Sequence, residues 1–225
     1  MKNRIVAITV STNYHDILPH SLKNNLDLFD HWYIATDKND WRTGNAIAHH
    51  DQDRITTVHY PFTSTFTDPV RGEPQTRWFD KGGAIRSLQA RAYSEFPDHW
   101  YLVLDTDILL RNSRDLNTSN LCPDYIYGPQ CRLDYRSLSD YHTGTVAHEY
   151  FHGNPRIIGF FQLYKQHRFY QQSLDTNWCD DEFTGLWKPN EQRFLPITVD
   201  HLGAWDPGTP NTHRGRIPGQ GFRNQ

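Results

Sequence analysis

Two carboxylates interrupt the apolar run WYLVLDTDILL, Trp100 to Leu110, at Asp105 and Asp107. Burying an unpaired carboxylate costs several kcal/mol, and two so close together ionise only beside positive charge. A divalent cation bearing a phosphate would meet that need. The Asp-x-Asp spacing itself carries no weight. With twenty-one aspartates in 225 residues, chance gives about two such pairs, and the chain has two. The other, Asp51/Asp53 in the polar HHDQDR, reads as a solvated turn. Asp105 and Asp107 instead follow a strong strand signal, and ligands of open α/β sheets bind at the carboxyl ends of strands. Alternation along an extended chain would place both acids on one face, with Thr106 opposite.

Other residues could join them. FDKGGAIRSL (Phe79 to Leu88) reads as a glycine-rich turn opening a helix. There Gly82 and Gly83 would let backbone N–H groups approach a phosphate, and Lys81 would add charge. WCDDEFTGLW offers Asp180 and Asp181, which by themselves read as acids at a helix start. His201 by its surroundings reads as a loop histidine bonded to backbone. His213, Arg214 and Arg216 suit phosphate oxygens or form a solvated tail. HEYFH, His148 to His152, matches the zinc-hydrolase pattern His-Glu-x-x-His, which composition yields by chance roughly 0.02 times. That chemistry needs both histidines on one face of a helix, with Glu149 as base. The segment lies between Gly144 and Gly153-Asn154-Pro155, and an aromatic, histidine-bearing acceptor loop is the preferred reading.

The elements that must position these residues are legible in part. RIVAITV (Arg4 to Val10), HWYIATD, RITTVHY (Arg54 to Tyr60) and WYLVL read as strands. Asp16 to Phe29 and KGGAIRSLQARAYSEF show helical spacing. The stretch from Tyr60 to about Asp80 reads as a loop. Beyond it, DYIYG reads as a short strand and residues 129 to 155 as a long loop. RIIGFFQLY (Arg156 to Tyr164) reads as a strand in which Gly159 allows close approach. DDEFTGLW reads as a short helix, RFLPITV as a last strand, and everything from Asp200 onward as loop or tail. A β-α-β-β-α-β order with apolar strands points to a mixed α/β sheet.

Composition narrows the class. A net charge of −3 supplies no basic field for nucleic acid. The aromatic content of 14% argues against disorder. Cys122, Cys131 and Cys179 are too scattered for a disulfide framework or zinc knuckle, and they fit a reducing compartment. The amino-terminal residues show no signal peptide, and no apolar run reaches the about 20 residues of a membrane span. The expected location is therefore cytoplasmic.

Taken in order, a first strand ending in Thr-Asn, then YIATD, FDKGGAI and WYLVLDTDILL, resembles the GT-A glycosyltransferases, in particular their family 2-like branch. IIGFFQLY looks like the acceptor-side strand of that family and WCDDEFTGLW like its acidic segment. DHLGAWDPGT…NTHRGR is similar to its carboxyl-terminal His-Leu-Gly segment. The resemblance runs from about Arg4 to Arg216, and order rather than any single motif carries it.

The resemblance implies a single GT-A-like α/β domain over residues 1–225, with a mixed, mostly parallel sheet flanked by helices. Residues 1–110 would form the nucleotide-binding half, and 111–225 the acceptor-side half with its tail. It implies metal-dependent transfer of a sugar, hexosyltransferase-type and inverting, from a UDP- or GDP-type donor to a saccharide or other hydroxyl acceptor. Thr9, Asn13 and Asp37 would line the nucleotide end. Lys81 would sit near the base or diphosphate, Asp105 would contact the ribose or metal, Thr106 would belong to the same donor-binding set, and Arg216 would help clamp the diphosphate. Asp105, Asp107 and His201 would hold Mn²⁺ or Mg²⁺; an imidazole ligand makes Mn²⁺ plausible. Asp181, or else Asp180, would serve as base, and Gly159 to Gln162 would lie under the sugar or acceptor. The His-Leu-Gly segment is also similar to that of retaining, family 8-like enzymes, in which Asp181 need not be a base. A non-catalytic protein of the same fold would keep the binding residues without turnover.

Overall fold

Short β-branched and aromatic runs form the strands. In chain order the elements of this computed structural model are β1 (Ile5–Val10), α1 (Leu18–Asn25), β2 (His31–Thr36), α2 (Trp41–Ala48), β3 (Ile55–His59), β4 (Ser64–Thr67), β5 (Pro74–Arg77), α3 (Lys81–Glu95), β6 (Trp100–Leu104), β7 (Ile108–Leu110), β8 (Ile126–Tyr135), α4 (Leu138–Thr143), β9 (His148–Phe151), β10 (Phe161–Tyr164), α5 (Cys179–Thr184) and β11 (Gln192–Leu202). The structure describes residues 4–50, 52–62, 80–111, 116–151, 157, 159–170 and 179–202, and the backbone of 64–67 and 74–77.

The main sheet has the order β3-β2-β1-β6-β10-β8-β11-β7, with β9 also paired to β8. Strands β3, β2, β1, β6, β8 and β11 run one way; β10, β9 and β7 run the other. The sheet is therefore mixed and mostly parallel. Alternation along β1 supplies both of its faces. Ile5 and Ala7 pack with Leu18 and Leu22 of α1, while Val6 and Ile8 pack with Ala84, Ile85 and Leu88 of α3. Burial of each such aliphatic chain contributes roughly 1.5–3 kcal/mol, and a sheet covered on both faces explains why these strands read as continuous apolar runs. No helix among the described residues is long and apolar enough to cross a membrane.

Several elements differ from the sequence expectation. Helix α2 was not foreseen; it is only eight residues long, and Asp40 starts it by accepting from the Thr43 N–H at 3.1 Å. The stretch before Asp80 contains the β4–β5 hairpin rather than only loop. The expected loop over 129 to 155 contains the end of β8, α4 and β9. Its pattern is alternation: Cys131, Leu133 and Tyr135 are buried on one face, which leaves Arg132 and Asp134 for the other. Of the strand expected over Arg156 to Tyr164, Phe161–Tyr164 forms β10 and Gly159 and Phe160 form a turn. The last strand runs on to Leu202, so His201 stands on a strand rather than in a loop.

Candidate active site

Strand β6 ends at Leu104, and Asp105, Thr106 and Asp107 form a turn into β7. The Asp105 N–H donates to the Phe160 carbonyl at 3.0 Å, Ile108 N–H returns to the Asp105 carbonyl at 3.2 Å, and Leu202 N–H reaches the Asp107 carbonyl at 2.8 Å. Thr106 donates through Oγ1 to the Val10 carbonyl at 2.9 Å, tying the turn to the end of β1. The expected same-face alternation of the two acids does not apply, because a turn has no period of two. The carboxylates meet different cations.

Asp105 faces Lys81, the first residue of α3. The ammonium lies 2.8 Å from Asp105 Oδ1 and 2.8 Å from Asp180 Oδ2. Burial alone would depress Lys81, but Asp105 and Asp180 outweigh it and keep the ammonium charged well above its ordinary range. Burial raises the Asp180 carboxyl, although Lys81 pulls the other way. Asp180 Oδ1 also accepts from the buried Tyr170 hydroxyl at 2.9 Å. Gly159 packs directly under this acid: a Cβ there would stand 1.9 Å from Asp180 Cβ, so only glycine fits.

Asp107 faces His201. Nε2 lies 3.4 Å from Asp107 Oδ2, and Nδ1 lies 3.0 Å from Asp134 Oδ1. Burial opposes the imidazolium, but Asp107 and Asp134 together raise its pKa to about 9. Asp134 is itself held by Arg132, whose Nε is 2.8 Å from Oδ1.

The chemistry of this donor set fits a partly solvated divalent ion. Asp134 occupies Nδ1 of His201, which leaves Nε2 for a metal, the usual carboxylate–histidine arrangement behind a ligand. Neighbouring ligands of an ion with bonds near 2.1 Å stand about 3 Å apart, close to the 3.4 Å between His201 Nε2 and Asp107 Oδ2. Asp105, the other acid expected at the metal, is paired here with Lys81. No group of three or more candidate ligands converges among the described residues. A cation here would take two ligands from the described protein and others from water or a bound phosphate.

The remaining expected residues divide. Asn13 stands at φ 60°, and its N–H donates to Asp40 Oδ2 at 2.5 Å. Asp37 accepts from the Asn39 N–H at 2.8 Å. Both lie just past the carboxyl ends of β1 and β2. Thr9 does not line an open pocket: it is fully buried, and its hydroxyl accepts from the Trp32 indole at 2.8 Å. Gln162 is also fully buried and braces α5, donating to the Asp180 carbonyl at 3.0 Å and Thr184 Oγ1 at 2.7 Å. It lies behind the acid rather than under a sugar. Asp181, the favoured base, is the next residue on α5; Asp180 is the one that meets Lys81. The start of α3 is not an open anion cradle, since the buried Asp80 caps it by accepting from the Gly83 N–H at 3.0 Å.

His148–Phe151 of the His-Glu-x-x-His segment is a strand, not the helix that would place histidines four residues apart on one face. Glu149 turns to the face of Cys131, with Oε1 3.7 Å from Sγ. His152, His213, Arg214 and Arg216 lie outside the described residues. Sequence reading missed Asp134, Arg132 and Tyr170. The alternation Cys-Arg-Leu-Asp-Tyr was the available signal for the first two.

No family model matches this chain, and no curated protein matches it. Among solved structures, the chain is similar to the galactosyltransferase LgtC in complex with donor and acceptor sugar analogues, with 11% identity, a TM-score of 0.44 and coverage of 95% of this chain and 92% of that one. It is similar to a putative glucose-1-phosphate thymidylyltransferase from Bacillus anthracis in complex with a sucrose, at 10% identity and a TM-score of 0.44, covering 89% and 90%. It is also similar to apo mouse xyloside xylosyltransferase 1, at 10% identity and a TM-score of 0.35, covering 83% and 74%.

Proposed function

We propose that this site binds a nucleoside-diphosphate sugar with a divalent cation and transfers the sugar to a hydroxyl acceptor. The observation that carries the reading is the division of labour in one turn: Asp105 faces Lys81 and Asp180, while Asp107 faces His201. One side suits a sugar and its reacting hydroxyl, and the other suits a phosphate-bound ion. The site draws on both halves of the chain, Lys81, Asp105 and Asp107 from residues 1–110 and Asp134, Asp180 and His201 from residues 111–225.

In the transfer the bond from the anomeric carbon to the diphosphate oxygen breaks, and the diphosphate leaves with the electron pair. The acceptor oxygen forms the new bond, and its proton passes to a carboxylate. Asp107 and His201 would hold Mn²⁺ or Mg²⁺, which when bound offsets the charge developing on the diphosphate. Asp180 is the better-placed acid. Its raised pKa brings it closer to neutral pH, where a general base works best, and Lys81 and Tyr170 fix its orientation. Asp181 remains the alternative base. Asn13 and Asp37 would meet the nucleoside. Nearby, Ser11, Thr12, Thr36 and Thr43 carry buried hydroxyls with no partner among the described residues, which suits a polar ligand at the ends of β1 and β2.

The test is a thermal-shift panel of UDP, GDP and other nucleoside diphosphates, with and without Mn²⁺. A ligand of the native state raises Tm by mass action. The expected result is stabilisation by one nucleoside diphosphate that Mn²⁺ strengthens. Absence of any shift across the panel would reject the reading, and a shift without sugar turnover would favour a binding protein.

A further inference from the structure

The His-Glu-x-x-His segment has a different place in the fold. Strand β9 pairs antiparallel with β8, setting Asp134 opposite His148 and Arg132 opposite Tyr150. On the other side of β8, β11 sets His201 opposite Asp134. His201, Asp134 and His148 therefore form one row across three strands, on the sheet face that also presents Arg132 and Tyr150. Two strand spacings make His148 about 10 Å from His201.

Tyr150 on this face packs against Arg132. The Arg132 guanidinium lies 4.7 Å from the Tyr150 ring centre and 4.9 Å from the Phe160 ring centre, clamped between the two. Asp134 fixes the same guanidinium, and the Phe160 carbonyl holds the Asp105 N–H. Tyr150 is nevertheless 42% exposed, although Arg132 covers one face of the ring. The His148 ring stands 6.1 Å from it, centre to centre. An exposed aromatic face flanked by an imidazole matches the chemistry of a pyranose ring, which has an apolar face of C–H bonds and a rim of hydroxyls. A peptide or an aliphatic alcohol offers no such flat, hydroxyl-rimmed surface.

We propose that Tyr150 is a stacking platform for a pyranose of the acceptor, with His148 hydrogen-bonding its hydroxyls. The acceptor is thus a saccharide. The word acceptor rests on the transferase reading; the sugar-binding surface does not.

The test is saturation-transfer NMR on the full chain with methyl glucosides, galactosides and mannosides as probes. Ring protons of at least one are expected to receive saturation. Tyr150→Ala and Tyr150→Leu should weaken that binding about tenfold, Tyr150→Phe should keep it, and His148→Ala should weaken it less. Phe151→Ala serves as the control, because Phe151 alternates to the other face of β9 and is 71% exposed. Tyr150→Leu keeps apolar bulk on the strand, so a folded variant is expected even if Tyr150→Ala loses structure. The platform is overturned if no glycoside receives saturation, or if Tyr150→Leu binds as the wild type does. Glycoside binding without any nucleoside-diphosphate shift would overturn the transferase reading and leave the platform standing. The reverse pair of results would overturn the platform alone.

Discussion

Asp134 and His201 face one another across β8 and β11, with Oδ1 3.0 Å from Nδ1. This contact sets which imidazole nitrogen is available to Asp107 and to any cation beside it. Removing such a partner behind a metal ligand costs about 10–100-fold in affinity. Asp134→Asn should weaken Mn²⁺ binding by that amount in a calorimetric titration, and Asp53→Asn should leave it unchanged. Equal affinities for Asp134→Asn and wild type would remove the metal role of His201.

The same imidazole gives the metal-free protein a pH signature. Its folded pKa, about 9, is raised above the ordinary 6.5. Its contribution to stability is therefore fully present below pH 6.5 and is lost as pH rises through 9. With chelator present, the urea midpoint of the wild type should fall over this window more steeply than that of His201→Gln. Parallel curves would show that His201 is not charged between Asp107 and Asp134.

Lys81 neutralises two carboxylates, and its side chain is 11% exposed. Lys81→Met should destabilise by about 2–4 kcal/mol, as expected when one partner leaves a buried ion cluster, reduced because Asp105 is partly solvated. Adding Asp180→Asn to Lys81→Met should recover part of the loss in denaturant unfolding. Strict additivity of the two changes would mean that the pair is not coupled.

Two glycines should respond in opposite directions. Gly159→Ala drives a Cβ into Asp180 and should cost about 1–3 kcal/mol, with a loss of nucleotide-sugar turnover of at least tenfold. Gly44 lies in α2, and a Cβ there meets nothing within 4 Å, so Gly44→Ala should stabilise by about 0.4–1 kcal/mol. Similar Tm changes for both would contradict the packing described under Asp180.

The two acids of α5 separate by function. If Asp180 takes the acceptor proton, Asp180→Asn should lower kcat by about 10²–10⁴-fold and Asp181→Asn by far less. A larger loss in Asp181→Asn, measured with saturating donor, would transfer the role to its neighbour.

The central strands were legible because their patterns are local. IVAITV, HWYIAT and WYLVL are apolar on both faces and need no partner to be recognised. The alternating CRLDY of β8 was read as loop because one of its faces serves the site. A site face that carries Arg132 and Asp134 looks polar until the sheet is assembled. His-Glu-x-x-His shows the same dependence: a metal-binding spacing has meaning only in the helix that makes it, and β9 is a strand.

By itself the sequence determined that Asp105 and Asp107 follow a strand, that Lys81 opens a helix, and that positive charge must lie near the acids. Only the tertiary structure decided which charge meets which acid. Lys81 and Asp180 are 99 residues apart in the chain, and Asp134 and His201 are 67 apart. Such pairings follow from strand order and register, and those are set by how whole elements bury their apolar faces against one another. A turn at Asp105–Asp107, rather than continued alternation, then gave the two carboxylates separate partners.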